Sequence, residues 1–475
     1  MTTFWLQLKG VDTVSAFSGY TDITCRYSEC ESSVHSAGQP MMDSKTNRLV
    51  DWSTDILSKL IVNVVESRAS CDMERTPEVQ SEISKLERFI MAGDKHAIDT
   101  VKDIAFLPSR TNVSNVGAAS VLPPHVKSQL QDYVSTLAEM YNPNSFHNYE
   151  HACHVTLSAH KLMSQIDFAF SATSSASSGD VTATITTGLN KQPDPLTKFA
   201  FVLAALIHDV DHTGVPNMQL IKENSALAQF YDNKSIAEQN SIDASWNLLM
   251  ESRYSDLRRA IYTTPKELKQ FRQVIVNSVI ATDIMDKTLI QLRCKRWEEE
   301  FGTSSSSSSG SNNSNRSSRS AASNGSMDNI DIDGSCRRTS IIMENLIQAS
   351  DVIHTMQHWN IYRKWNEKLF MELSKSHLVD GRTETDPANN WYEGELGFFD
   401  HYIIPLAKKL KKCGGNITEE CLSYAYQNRE EWRVKGKGIV EEMIMKRQHN
   451  MNNAEEKMDE GHDESGMDTS SPSLF

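Results

Sequence analysis

The chain has 475 residues, enough for one to three domains, with 48 Lys and Arg against 62 Asp and Glu for a formal charge of −14. This acidic balance disfavours a nucleic-acid binder that relies on a broad basic surface, and an anionic substrate would need a local source of positive charge such as metal ions. The longest apolar run, residues 199–207, is too short to span a bilayer, and eight cysteines without a C-x-x-C pair suit a reducing cytosol with no structural zinc ribbon.

The start, MTTFWLQLKG, lacks the basic and apolar regions of a signal peptide, so a cytoplasmic protein without a transmembrane segment is expected. Residues 9–47 are rich in Ser, Thr and Gly and read as a disordered linker. N-terminal helices are expected over 48–100, where Leu49, Trp52, Ile56, Leu60 and Val64 recur at spacings of three and four and mark a face for packing or coiled pairing. A single large domain, 101–446, follows, interrupted by Ser-rich inserts at 171–195 and 302–335 that cannot bury enough apolar area to order themselves. The acidic, polar stretch 447–475 reads as a disordered tail.

The remaining segments carry helical periodicity, and Thr264 before Pro265, with Glu267 in the first turn, is a helix-start signal. Strand-like alternation is scarce and no glycine-rich phosphate loop is visible. The expected fold is all-α.

Three segments carry chemistry. In FHNYEHACH, His147 and His151 stand four apart, which predicts a shared helix face; ordinary half-buried histidines are the alternative. In ALIHDVDHTG, His208, Asp209, Asp211 and His212 end an apolar helix, where they are costly to desolvate unless divalent metal or a salt-bridged cluster pairs them. An adjacent His-Asp pair can serve two neighbouring ions, the carboxylate bridging them. Asp351, in the apolar NLIQASDVIHTM, is a third costly carboxylate, read either as a ligand or as a core or capping aspartate.

This ordered set, with Asn148, Gly214, Asn217, Glu238, Thr282, Asp283, Tyr362, Trp365, Gly397 and Phe398, resembles the catalytic domain of class I 3',5'-cyclic-nucleotide phosphodiesterases. The resemblance runs from about residue 107 to 431 and implies a compact, multi-helix, HD-type domain that hydrolyses cyclic nucleotides to 5'-monophosphates in signal transduction. It implies that His151, His208, Asp209 and Asp351 hold one ion, usually zinc, and that Asp209 bridges to a second, magnesium or manganese. It also implies a hydroxide activated by the two metals, His147 as the general acid, and Phe398 clamping the purine against the helix around Leu369 and Phe370. His212, Asp283, His354 and Glu395 join the expected substrate-binding set.

Two of these positions depart from the family pattern. Glu395 stands where relatives usually have glutamine, and an ionised carboxylate only accepts hydrogen bonds, which favours guanine N1–H and N2–H and so predicts cyclic GMP over cyclic AMP. A Glu395 facing guanine O6 would repel guanine instead, and a protonated one would mimic glutamine. His354 replaces an asparagine common in relatives. The other functional classes weighed are a non-catalytic cyclic-nucleotide-binding regulator and an HD-type hydrolase of another nucleotide.

Residues 1–8 resemble the last strand of class III nucleotide cyclase domains, which implies the C-terminal part of a cyclase–phosphodiesterase fusion, cytosolic and membrane-anchored through a missing region. Arg337-Arg338-Thr339-Ser340 fits a basophilic protein kinase site at Ser340, at the end of the second insert.

Overall fold

The computed structural model describes residues 42–69, 76–93, 121–173, 193–301, 328–378, 385–414 and 416–463, and among them every regular element is helical. The expected cyclase-like end, most of the linker, the bulk of both Ser-rich inserts and the end of the acidic tail lie outside the described residues. The organising element is the helix Pro195–Ile207, capped by the Asp194 side chain, which accepts the Thr197 N–H, and opened by Pro195 at its first position. Phe199 and every later residue of this helix are buried, so no face is left for water and the helix must be surrounded.

In chain order, α1 (Ser44–Ala69), α2 (Pro77–Gly93), α3 (Pro124–Met140), α4 (Tyr149–Thr173), the central α5 (Pro195–Ile207), α6 (Ile236–Met250) and α7 (Pro265–Ala281) form the first half. The second half is α8 (Asp328–Asp351), α9 (Trp359–Leu378), α10 (Trp391–Phe398), α11 (Ile404–Lys412) and α12 (Asn416–Asp463). Helices α7, α4 and α1 pack around α5, while α12 packs on α9, α10 and α11. Each fully buried Phe or Leu at these contacts contributes about 1.5–3 kcal/mol.

The α7 start behaves as its sequence indicates: Thr264 Oγ1 accepts the Glu267 N–H, and Glu267 Oε2 accepts the Thr263 N–H. Helix α1 begins a few residues before the expected boundary because Asp43 Oδ1 accepts the Thr46 N–H. Its Leu57, Leu60, Ile61 and Val64 are buried, and it packs on α5 and α3.

Two further boundaries differ from the sequence expectation. Helix α12 runs through Asp463, into the segment read as a disordered tail, because its Glu, Lys, Met, Gln and Arg are good helix formers and no proline intervenes. Helix α8 starts at Asp328, inside the second insert. Ser340 is therefore a helix residue, 5% exposed, and Arg337 and Arg338 are occupied with Glu299 and Glu300. A kinase cannot reach that hydroxyl without unwinding α8.

Between α10 and α11 the turn Phe399–Ile403 is π-helical. It precedes Pro405, which has no N–H to donate and whose ring crowds the carbonyl four residues back, so the wider turn relieves a conflict set by the sequence.

Candidate active site

Asn148 builds the first part of the site. Its Oδ1 accepts the His151 N–H and its Nδ2 donates to the carbonyls of Asn144 and Ser145, so it caps α4. The helix thus begins at Tyr149, and His147 lies in the turn before it rather than on the helix face that its spacing to His151 suggests. The two rings still meet, with centroids 6.1 Å apart.

Helix α5 ends at Ile207 and delivers His208 and Asp209 into a turn in which Asp211 has φ +61°. Asn142 and Asn240 each donate to the Asp211 carboxylate, so Asp211 serves the turn and not the site. His208 Nδ1 lies 2.9 Å from the Ala205 carbonyl, which only accepts, so Nδ1 carries a proton and Nε2 is the nitrogen left for a second proton or a metal.

That Nε2 is 3.0 Å from Asp209 Oδ2 and 3.4 Å from Asp351 Oδ1. His151 Nε2 is 3.0 Å from Asp351 Oδ1 and 3.6 Å from Asp209 Oδ2. Although so close, His208 Nε2 and Asp209 Oδ2 are buried and have no hydrogen-bond partner. Imidazole nitrogens from His151 and His208 thus face carboxylate oxygens from Asp209 and Asp351, an N and O donor set of the kind that Zn²⁺ takes. The chemistry of the set therefore fits a divalent cation. Burial works against charge here, yet Asp209 and Asp351 are held well below the usual carboxylate range by the histidines, and the same carboxylates draw His208 well above its ordinary value. The cluster has a demand for positive charge.

A second group, His147, His212 and Glu372, is also close enough to hold a metal, but its atoms are already committed. Glu372 Oε1 lies 2.5 Å from His147 Nδ1, and its Oε2 accepts the N–H groups of Phe146 and His147. Burial disfavours the His147 cation, but Glu372 outweighs it and raises His147 to about 9, while Glu372 falls to about 2. His212 Nδ1 accepts the Gly214 N–H, which leaves its proton on Nε2. Burial and the adjacent His147, with ring centroids 4.0 Å apart, lower His212 to about 4, so it is a neutral donor.

Sequence reasoning did not single out Glu372. A glutamate on the otherwise buried side of α9 was the available signal, one turn after Lys368.

The two groups reach a cavity of about 250 Å³ through His147, Asp209, His212 and Asp351, which line its polar side with Glu238 and Asp283, while His151, His208 and Glu372 are outside the lining. Asp283 accepts from the Ser235 hydroxyl and from the Met285 and Asp286 N–H groups. Glu238 accepts from Asn217 Nδ2 and is raised to about 8 by burial and by Asp283. The apolar side is Phe398, Leu369, Leu373, Val352, Ile284 and Met285, and His354 also lines the cavity. Phe398 stacks on Tyr402 at 5.4 Å.

Two expected residues are elsewhere. Phe370 is fully buried and packs edge-on against Trp391, because it lies 100° around α9 from Leu369; Leu373, one turn on, takes its place. Glu395 is also buried, outside the lining, where Tyr362 Oη donates to its Oε2 at 2.7 Å and burial raises it to about 7.

The model of the 3'5'-cyclic nucleotide phosphodiesterase family matches residues 146–424. The chain is 23% identical over 64% of its length to a Caenorhabditis elegans protein named "Probable 3',5'-cyclic-AMP phosphodiesterase pde-4", of which the match covers 39%. It is 24% identical over 63% of its length to the mouse 3',5'-cyclic-AMP phosphodiesterase 4C, with 38% of that protein covered. The chain thus spans about two fifths of the length of these curated relatives. Among solved structures, the phosphodiesterase domain of the RhoPDE fusion protein from the choanoflagellate Salpingoeca rosetta matches with TM-score 0.48 and 17% identity, over 79% of this chain and 96% of that one.

Proposed function

Because the chain belongs to the 3'5'-cyclic nucleotide phosphodiesterase family, we propose that it hydrolyses 3',5'-cyclic nucleotides to 5'-nucleoside monophosphates. The observation that carries this reading is the pairing of a charged proton donor, His147 on Glu372, with the cluster His151, His208, Asp209 and Asp351 at one cavity. Zinc and magnesium or manganese are the ions we assign to it, and when bound they supply Lewis acidity toward the phosphodiester and its attacking water. His151, His208, Asp209 and Asp351 would hold the tighter ion, with Asp209 facing the second.

The protein's own groups do the rest. His147 Nδ1 is committed to Glu372, so Nε2 is left to protonate the 3' oxygen as the P–O3' bond breaks, and the carboxylate keeps the imidazolium charged until then. The proton released by the attacking water recharges the pair. His212, neutral with its proton on Nε2, donates to a phosphate oxygen without adding a second cation. Phe398 offers a ring face to the purine, opposite Leu369 and Leu373.

A preference for cyclic GMP finds no support in this geometry, since Glu395 does not line the cavity and two of the relatives are named for cyclic AMP. The substrate we assign is the cyclic nucleotide class. We take 101–446 as the catalytic unit and a cytoplasmic location as part of the same reading; among the described residues no helix is long and apolar enough to cross a membrane. Purified protein should hydrolyse cyclic AMP, cyclic GMP or both, lose that activity in chelator and recover it with zinc plus magnesium or manganese. Nucleotide binding without turnover under those conditions would overturn the reading.

A further inference from the structure

Glu150 neighbours the proposed ligand His151, yet its carboxylate faces outward and bridges two helices. Its Oε2 lies 2.8 Å from Lys368 Nζ on α9 and 2.8 Å from Lys45 Nζ in the first turn of α1. Lys368 is also held over the Trp365 ring, its Nζ 4.3 Å from the centroid. That ring stacks on His154 at 5.4 Å and meets His151 at 5.5 Å and Phe146 at 5.6 Å. One turn beyond Lys368, Glu372 takes His147 Nδ1 and the Phe146 and His147 N–H groups. The start of α4 and the middle of α9 are therefore joined twice, by Glu150 with Lys368 and by His147 with Glu372.

The outer junction has a member from a different part of the chain. Lys45 belongs to a helix that precedes the family-matched residues 146–424. Lone surface ion pairs contribute little and Lys45 is itself 54% exposed, but Glu150 and Lys368 are 29% and 22% exposed and Lys368 is further fixed by Trp365, so Lys45 joins a pair that is partly shielded.

We propose that Lys45, Glu150 and Lys368 are positioning residues through which the N-terminal helix α1 sets the alignment of the His147–Glu372 pair. This inference rests on the reading of His147 as the proton donor. The network acts on the spacing of α4 and α9, and so on the direction in which His147 presents Nε2; it does not touch the substrate cavity, whose lining includes none of the three. A loss of the network should therefore appear in kcat and leave KM in place.

The experiment uses the full chain. Wild-type turnover of cyclic AMP and cyclic GMP is measured first, and its absence overturns the functional reading separately from the network. Lys45→Ala and Lys368→Met are each expected to lower kcat about 3- to 10-fold at unchanged KM, the range for loss of one coupled contact. Lys45→Arg should restore the rate. In a Glu372→Gln background the Lys45→Ala change should have no further effect on kcat. Histidine-selective NMR gives a readout independent of turnover: the hydrogen-bonded His147 Nδ1 proton should move upfield in Lys45→Ala. A Lys45→Ala protein with wild-type kcat and an unshifted resonance overturns the proposal. So does an equal loss of rate with and without Glu372, or failure of Lys45→Arg to restore a protein whose thermal midpoint matches wild type.

Discussion

Glu372 Oε1 lies 2.5 Å from His147 Nδ1 and Glu372 Oε2 accepts the His147 N–H, so one carboxylate fixes both the ring and the backbone of the proposed acid. Glu372→Gln keeps the shape and removes the charge. Its kcat is expected to fall about 100-fold, at the lower end of what a positioned acid contributes, with little change in KM. Steady-state kinetics on the cyclic nucleotide turned over fastest checks it, and an unchanged kcat would remove Glu372 from the mechanism.

The same pair sets the pH dependence. His147 is raised to about 9 by Glu372, so the rate should decline on the alkaline side with a midpoint near that value, and the midpoint should move down in Glu372→Gln. Stability follows the same sign. A histidine raised in the folded state stabilises fully below its unfolded pKa of about 6.5 and loses that contribution as pH rises through about 9. Glu372, lowered to about 2, stabilises above its unfolded value of about 4.3 and loses that contribution as pH falls through about 2. Thermal midpoints between pH 6 and 10 should fall more steeply for wild type than for His147→Phe.

Removal of metal should cost folding stability as well as activity. His208 Nε2 and Asp209 Oδ2 are buried without hydrogen-bond partners, so the proposed cation would bind the folded state and not the unfolded chain. With free Zn²⁺ at about 100 times its Kd the linkage is about 2.7 kcal/mol, or about 3–5 °C in Tm for a unit of this size. Differential scanning calorimetry with and without chelator should show that drop in wild type. Asp351→Asn, which lacks one ligand charge, should show much less of it.

Gly214 carries a backbone requirement. Its φ is +75°, and a Cβ there would lie 3.0 Å from Asn144 Oδ1. Asn144 Nδ2 donates to the carbonyls of both His147 and His212, so the added methyl would strain its own residue and push on the side chain that ties the two histidine loops together. Gly214→Ala is expected to lose about 1–2 kcal/mol of stability from the backbone alone, with a further loss in kcat. Chemical denaturation and kinetics on the same preparation read both.

The parts of the site legible in the sequence were those fixed by local cost. His208, Asp209 and Asp351 stand beside apolar helical runs, where unpaired polar groups are expensive, and the structure brings all three together with His151. The α7 start at Thr264 was legible for the same reason, since cap and first turn are contiguous. What failed depended on rotation or on remote partners. His147 and His151 at spacing four suggest one helix, but Asn148 caps between them and moves His147 into the preceding turn. Glu372 and His147 are 225 positions apart, and only the packing of α9 against the start of α4 makes them a pair. Glu395 follows the family position, but whether its carboxylate reaches the cavity or Tyr362 is decided by side-chain direction, which spacing does not encode.

Leu369 and Phe370 show how one residue of rotation separates binding from folding. Leu369 lines the cavity with Phe398, whereas Phe370 is fully buried against Trp391 with Arg447 over its ring. Phe398→Ala removes an aromatic face from the substrate in ground and transition states alike, so KM should rise about 10-fold with kcat nearly kept, and stability should change less than for a core ring. Phe370→Ala empties a core position and should cost about 3–5 kcal/mol of stability, while KM at temperatures where the protein stays folded is unchanged. Each variant is thus a control for the other, read by urea denaturation and by substrate saturation curves. A raised KM in fully folded Phe370→Ala would mean that α9 turns to present that ring to the substrate, and the assignment of Leu373 to the cavity wall would then be wrong.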